Sequence, residues 1–147
     1  MPRVLVIHGP LMNHIGEAET DLYGMETYEE INASLAAMGA AAEVEVDVFQ
    51  SAIEGELVNA IAEARGKYNF IIINPAAYSH TSVAIHDAVV FCGVPTIEVH
   101  LSSLANREPF RNQSTISRVV TGRIEGLGAE SYRLALRYAI ERLVGHE

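Results

Sequence analysis

Ile72-Ile73-Asn74-Pro75-Ala76-Ala77-Tyr78-Ser79-His80-Thr81-Ser82 is an apolar strand that stops abruptly, opens into a polar loop and feeds a helix. Asn74 and His80 sit where the strand ends, and Thr81 and Ser82 are residue types that cap the helix behind them. In an open α/β sheet, ligands bind at the carboxyl ends of the strands. The segment therefore marks the working edge of the molecule. A second strand end repeats the plan: Ile97-Glu98-Val99-His100-Leu101-Ser102-Ser103, then Asn106-Arg107-Glu108-Pro109-Phe110-Arg111.

Outward from these two segments, strand and helix patterns alternate along the chain. Val4 to Ile7 reads as a short apolar strand, and Gly9 to Gly24 as a polar loop. Thr27 followed by Glu30 has capping-box spacing and opens a helix with Ile31, Leu35 and Met38 on one face, running to Gly39. Val44 to Phe49 is a second strand. Ile53, Leu57 and Ile61 lie at helical spacing in a helix from about Ile53 to Arg65, stopped by Gly66. Phe70 to Ile73, Thr96 to Val99 and Val119 to Ile124 read as further strands. Ser82 to Phe91 and Gly128 to Leu143 read as helices. This alternation predicts an α/β fold: a five-stranded parallel sheet with helices on both faces, in one domain spanning residues 1–147.

Composition narrows the function classes. The 147 residues are 49% hydrophobic and 20% charged, enough for a packed core and too apolar for a disordered chain. A formal net charge of −9 argues against a general nucleic-acid-binding surface. Arginines at the strand ends are then local positive charge in an acidic protein, which suits a small anionic ligand. The single cysteine, Cys92, permits no disulfide within the chain and fits a reducing compartment. The N-terminus runs straight into a strand, and no apolar run is long enough to cross a membrane. A cytoplasmic protein with no membrane and no nucleic-acid partner is expected.

Individual residues leave alternatives open. His100 is either a satisfied structural histidine or, with a pKa near 6.5, a group that gives or takes a proton at physiological pH. Arg107 and Arg111 share a face if their stretch is helical. They form either a solvated surface pair or an anion clamp. Tyr23, in the loop after the first strand, alone reads as a packed aromatic and becomes a base only where cations stabilise its phenolate. His8 and His14 sit in that loop without metal-site spacing, so no metal is expected. Walker and Rossmann glycine patterns and the Gly-x-Ser-x-Gly elbow are absent, so no cofactor is expected either.

Taken in order, the motifs resemble the type II 3-dehydroquinate dehydratases over nearly the whole chain. The matching pieces are Gly9-Pro10, Asn13, Gly16, Glu19 and Tyr23-Gly24; Phe49-Gln50-Ser51 with Glu54-Gly55-Glu56-Leu57; and Ile72-Ile73-Asn74-Pro75, Tyr78 and His80-Thr81-Ser82-Val83-Ala84 with Asp87-Ala88. Glu98-Val99-His100, Arg107-Glu108-Pro109-Phe110-Arg111, Gly126-Leu127-Gly128 and Tyr132-Arg133-Leu134-Ala135-Leu136 complete them. The resemblance implies a flavodoxin-like three-layer fold, a dodecamer built from trimers, and dehydration of a cyclic hydroxy-ketone acid through an enolate. It implies Tyr23 as the base, in a mobile loop, and His100 as the acid. Asn74, His80 and Arg111 then hold ring hydroxyls, and the backbone amides of Leu101 and Ser102 hold the carboxylate, as unpaired N–H groups do. Asp87 reaches into a neighbouring subunit's site. The first loop departs from the family pattern: Leu11 stands in place of an asparagine that helps hold the enolate, and Ala18 in place of an arginine that assists the tyrosine. Arg107 is the cation left to support Tyr23, and His8 or His14 are candidates to replace the missing polarity. The departures raise two alternatives, a paralogue acting on another small polar carboxylate or cyclic carbonyl compound, and a non-catalytic ligand-binding oligomer.

Overall fold

Strand and helix do alternate. β1 (Arg3–His8) is followed by a 3-10 turn (Met12–His14), α1 (Tyr28–Ala41), β2 (Glu45–Gln50), α2 (Glu54–Glu63) and β3 (Phe70–Asn74). After a 3-10 turn (Ala76–His80) come α3 (Val83–Cys92), β4 (Thr96–His100), two more 3-10 turns (Leu104–Asn106 and Pro109–Arg111), β5 (Gly122–Glu125) and α4 (Glu130–Val144). This computed structural model describes residues 1–17 and 26–144; Ala18 and Tyr23 lie outside the described residues. The strands form one sheet in the order β2-β1-β3-β4-β5, every neighbouring pair parallel. That is the flavodoxin-like order, with its switch point between β1 and β3.

The period of two along a strand assigns the layers. Val4, Val6, Phe70, Ile72, Ile97 and Val99 face α1 and α4, where they meet Ile31, Leu35, Tyr132 and Leu136. Leu5, Ile7, Ile71 and Ile73 face α2 and α3 and meet Leu57, Ile61, Ile85 and Val89. β3 is central and buried at all five positions, which is why it reads as an unbroken apolar run instead of an alternating one. Each fully buried Ile or Leu contributes about 1.5–3 kcal/mol.

Local chemistry sets the helix ends. Thr27 Oγ1 accepts from the Glu30 amide at 3.1 Å while the Glu30 carboxylate accepts from the Thr27 amide at 3.0 Å, a complete capping box. Ser82 Oγ caps α3 by accepting from the Ile85 amide at 2.9 Å, and Gly93 ends that helix at φ +66°. Most boundaries fall within a residue or two of expectation, and two differences bear on the sheet. β5 begins at Gly122 instead of Val119, because Val119 turns back to bond Ile116 at 2.9 Å and packs with Val120 on the α2–α3 layer. His8 is not a loop residue: it closes β1 and pairs in register with Asn74.

Gly9 lets the first loop cross the end of β3. Its amide donates to the Asn74 carbonyl at 2.8 Å, and a Cβ there would stand 2.4 Å from the Pro75 carbonyl oxygen. That oxygen is backbone and cannot swing away. Gly9→Ala is expected to destabilise by at least the ~1–3 kcal/mol of an overpacked core. A denaturant midpoint equal to that of the parent protein would contradict this.

Candidate active site

The carboxyl ends of β1, β3 and β4 open onto a cavity of about 290 Å³. One wall is polar: Asn74, His80, His100, Ser102, Arg107 and Arg111. The other is apolar, with Pro10, Leu11, Met12, Ala76, Ala77, Leu101 and Leu104. A larger depression of about 560 Å³ lies beside β2, where Arg3 and the Tyr68 hydroxyl both bond the Asp47 carboxylate, at 2.8 and 2.7 Å. The smaller cavity is the one at the carboxyl ends of the strands.

His100 is the last residue of β4 and is 5% exposed. Its Nε2 bonds the carboxylate of Glu98, two residues back and therefore on the same side of the strand. Glu98 is fully buried; Ser117 Oγ donates to its second oxygen at 2.6 Å. Burial pushes the Glu98 carboxyl up, but hydrogen bonds from His100, Ser114 and Ser117 outweigh it and hold the group below the usual carboxylate range. Glu98 is thus an anion at neutral pH. A carboxylate on Nε2 requires a hydrogen there and leaves Nδ1 as the ring atom for the cavity.

Asn74 is 3% exposed and ends β3; its Oδ1 accepts from the Ala76 amide at 3.0 Å. That turn puts Ala76 at φ +54°, a left-handed conformation costly for a residue with a side chain. His80 donates from Nδ1 to the Gln113 carbonyl at 2.7 Å, which leaves its Nε2 as an acceptor when neutral. Arg107 and Arg111 do not share a helix. Arg107 is extended at φ −105°, ψ 176° after one 3-10 turn, and Arg111 closes the next. They converge on the cavity nonetheless, bridged by Glu108, whose carboxylate lies 3.5 Å from Arg107 and 3.3 Å from Arg111. Arg107 also donates to Ser102 Oγ at 3.0 Å.

Other expected residues fall elsewhere. Asp87 is on the outer flank of α3, 72% exposed and paired with His86 at 3.0 Å, outside its own chain's cavity. His14 forms an exposed pair with Glu17 at 2.6 Å. His8 is 1% exposed and bonded at both nitrogens, and neither histidine lines the cavity. Leu11 lines the cavity mouth, 74% exposed and left-handed at φ 68°. Such a backbone favours Asn or Gly over Leu. Sequence reasoning assigned no role to Glu98, although a carboxylate in an apolar central strand must have a partner and the i, i+2 spacing to His100 names it. Ser114 and Ser117 give no such signal. Among the described residues no group of three or more His, Cys, Asp or Glu side chains is placed to hold a metal ion, and no helix is long and apolar enough to cross a membrane.

Comparison with known proteins bears on this site. The family model described as dehydroquinase class II matches residues 2–140. The 3-dehydroquinate dehydratase of Acaryochloris marina is 46% identical over 97% of this chain and 95% of its own length. That of Proteus mirabilis is 48% identical over 95% of each. Among solved structures, the type II dehydroquinase from Propionibacterium acnes superposes with a TM-score of 0.89 at 38% identity, covering 95% of this chain and 97% of that one.

Proposed function

Because the chain belongs to the dehydroquinase class II family, we infer that it is a lyase that removes water from 3-dehydroquinate to leave 3-dehydroshikimate, through an enolate. The observation that carries the mechanism is His100 at the rim of a polar cavity, backed by the buried, ionised Glu98. Tyr23, as phenolate, takes the proton from the carbon next to the ketone. The C–H electron pair becomes the enolate. As the enolate collapses, the C–O bond breaks, His100 donates its proton to the departing hydroxyl, and water leaves. Tyr23 then holds the proton taken from carbon and His100 lacks the one that left in water, and proton exchange with solvent resets both.

Binding follows from the polarity of the wall. Asn74, His80 and Arg111 take the ring hydroxyls, and the amides of Leu101 and Ser102 take the carboxylate. Arg107 is the cation available to stabilise the Tyr23 phenolate where Ala18 offers none; its bond to Ser102 supports a position over the carboxylate end. The alternatives, another substrate or a binding-only oligomer, are not favoured by near-full-length relatives named for this reaction. No metal or cofactor enters this reading. A cytoplasmic location is part of it, in keeping with one buried free cysteine.

An assembly of trimers, and from them a dodecamer, belongs to the same proposal. Val83, Asp87, Val90 and Phe91 share one flank of α3 by their spacing, with Val83 65% exposed and Val90 and Phe91 each 57% exposed. An apolar flank of that kind is suited to burial against another copy, which would carry Asp87 to the neighbouring site. One preparation tests both parts. Purified protein incubated with 3-dehydroquinate is expected to raise the ultraviolet absorbance of the conjugated product, and light scattering is expected to give a multiple of three chains. Turnover no faster than buffer would sink the assignment, and a monomer would remove Asp87 from the site.

A further inference from the structure

The groups that hold the buried Glu98 carboxylate lead out to the edge of the sheet. Ile97 and Val99 face α1 and α4, so Glu98 between them faces the other side, where Ile116 packs next to Ser117. Arg123, on the edge strand β5, is the register partner of Glu98. Its Nη1 donates to Ser117 Oγ at 2.8 Å, and Ser117 Oγ donates to Glu98 Oε1 at 2.6 Å. The other carboxylate oxygen, Oε2, bonds His100 Nε2. An arginine, a serine, a glutamate and the histidine of the cavity therefore form one continuous chain.

The polarity of this chain is fixed. A guanidinium only donates and an ionised carboxylate only accepts. The Ser117 hydroxyl between them has one orientation, its oxygen toward Arg123 and its hydrogen toward Glu98. The carboxylate then receives a donor on each oxygen and cannot turn without losing one, in a place where an unpaired oxygen is costly. The guanidinium is itself held: Nη2 donates to Glu125 Oε1 at 3.3 Å, and Glu125 Oε2 accepts from the Leu104 amide at 3.3 Å. The Arg123 side chain is 33% exposed, and its pair with Glu125 alone would be an ordinary surface ion pair of little consequence. The inward bond to Ser117 sets it apart. Chains of hydrogen bonds polarise one another in a low dielectric, so the Arg123 charge acts on Glu98 through the hydroxyl.

We propose that Ser117 and Arg123 are positioning residues for the proton donor: they fix the Glu98 carboxylate, which in turn holds His100 with hydrogen on Nε2 and Nδ1 toward the cavity. The inference rests on the assignment of His100 as the acid and deepens it: the geometry of the acid is set from β5, by residues that do not line the cavity.

Ser117→Ala and Arg123→Met test the chain at its two outer links. In Ser117→Ala, kcat for 3-dehydroquinate is expected to fall about tenfold, the worth of one hydrogen bond to a charged group that counts only in the transition state. KM should change little, because neither residue reaches the substrate. Arg123→Met should lower kcat in the same direction by less, since it acts through the hydroxyl. In a Glu98→Gln background Arg123→Met is expected to change kcat less than about twofold, since the charge it acts on is gone. Equal losses in both backgrounds would mark a purely structural role and overturn the proposal. Nitrogen-15 spectra of the His100 side chain, recorded without substrate, separate this question from the reaction. The Nε2 signal is expected to move in both variants even if the parent protein turns over no 3-dehydroquinate. A signal left at the parent position by either variant refutes the chain whatever the activity.

Discussion

Replacing His100 with alanine is expected to lower kcat for dehydration by about 10²–10⁴, the usual contribution of a positioned general acid. A stability cost is expected beside it, because the substitution takes one partner from the buried Glu98 carboxylate. Glu98→Gln adds a second reading of the same arrangement. It preserves the shape of the side chain but removes the negative charge behind the ring, so kcat should fall here as well. His100→Ala with undiminished turnover would mean that another group delivers the proton. An unchanged kcat in Glu98→Gln would mean that the Glu98 charge does not act through His100.

The second large effect is on stability in mild acid, and His8 causes it. Its pKa is held near 4 in the fold by burial, against 6.5 for an ordinary histidine. Above pH 6.5 neither the folded nor the unfolded chain holds the proton. As pH falls below that value the unfolded chain takes it up and the folded chain does not, so the equilibrium moves toward unfolding. The loss grows by ~1.4 kcal/mol per pH unit and reaches about 3 kcal/mol near pH 4, below which both states are protonated. The depressed carboxyl of Glu98 also loses stability in acid, but only as pH falls from its ordinary 4.5 through a lower folded value. Denaturant midpoints measured between pH 7 and 5 therefore lie above the carboxylate range, and the comparison with a His8 variant singles out this histidine. His8→Asn is expected to flatten that slope, and a slope unchanged by the substitution contradicts the assignment.

Much of the candidate site was legible in the sequence. The strand end at Asn74 and the one at His100 both stand where a run of apolar residues breaks into Asn, His, Ser and Arg. The edge of the sheet they mark is the edge where the cavity lies. Arg107 and Arg111 were legible as neighbours for a reason that does not hold: no common helix joins them, and Glu108 does. Glu98 was readable as the partner of His100 from spacing alone. His8 was not readable as an inert buried group, because its two partners, Asn32 and Tyr132, lie 24 and 124 residues away.

The sequence by itself determined the element order, the two faces of the sheet, the capping residues and the family. Each of these depends on side chains within a few positions of one another, or on a local period that one strand or helix carries alone. Only the tertiary structure decided which polar groups are spent and which remain for a ligand. His8 and His100 are both histidines that end a buried strand. One is bonded at both nitrogens by α1 and α4; the other has one nitrogen bonded to the strand's own carboxylate and lines the cavity. Burial and hydrogen-bond partners separate the two, and both are set by packing between elements far apart in the chain.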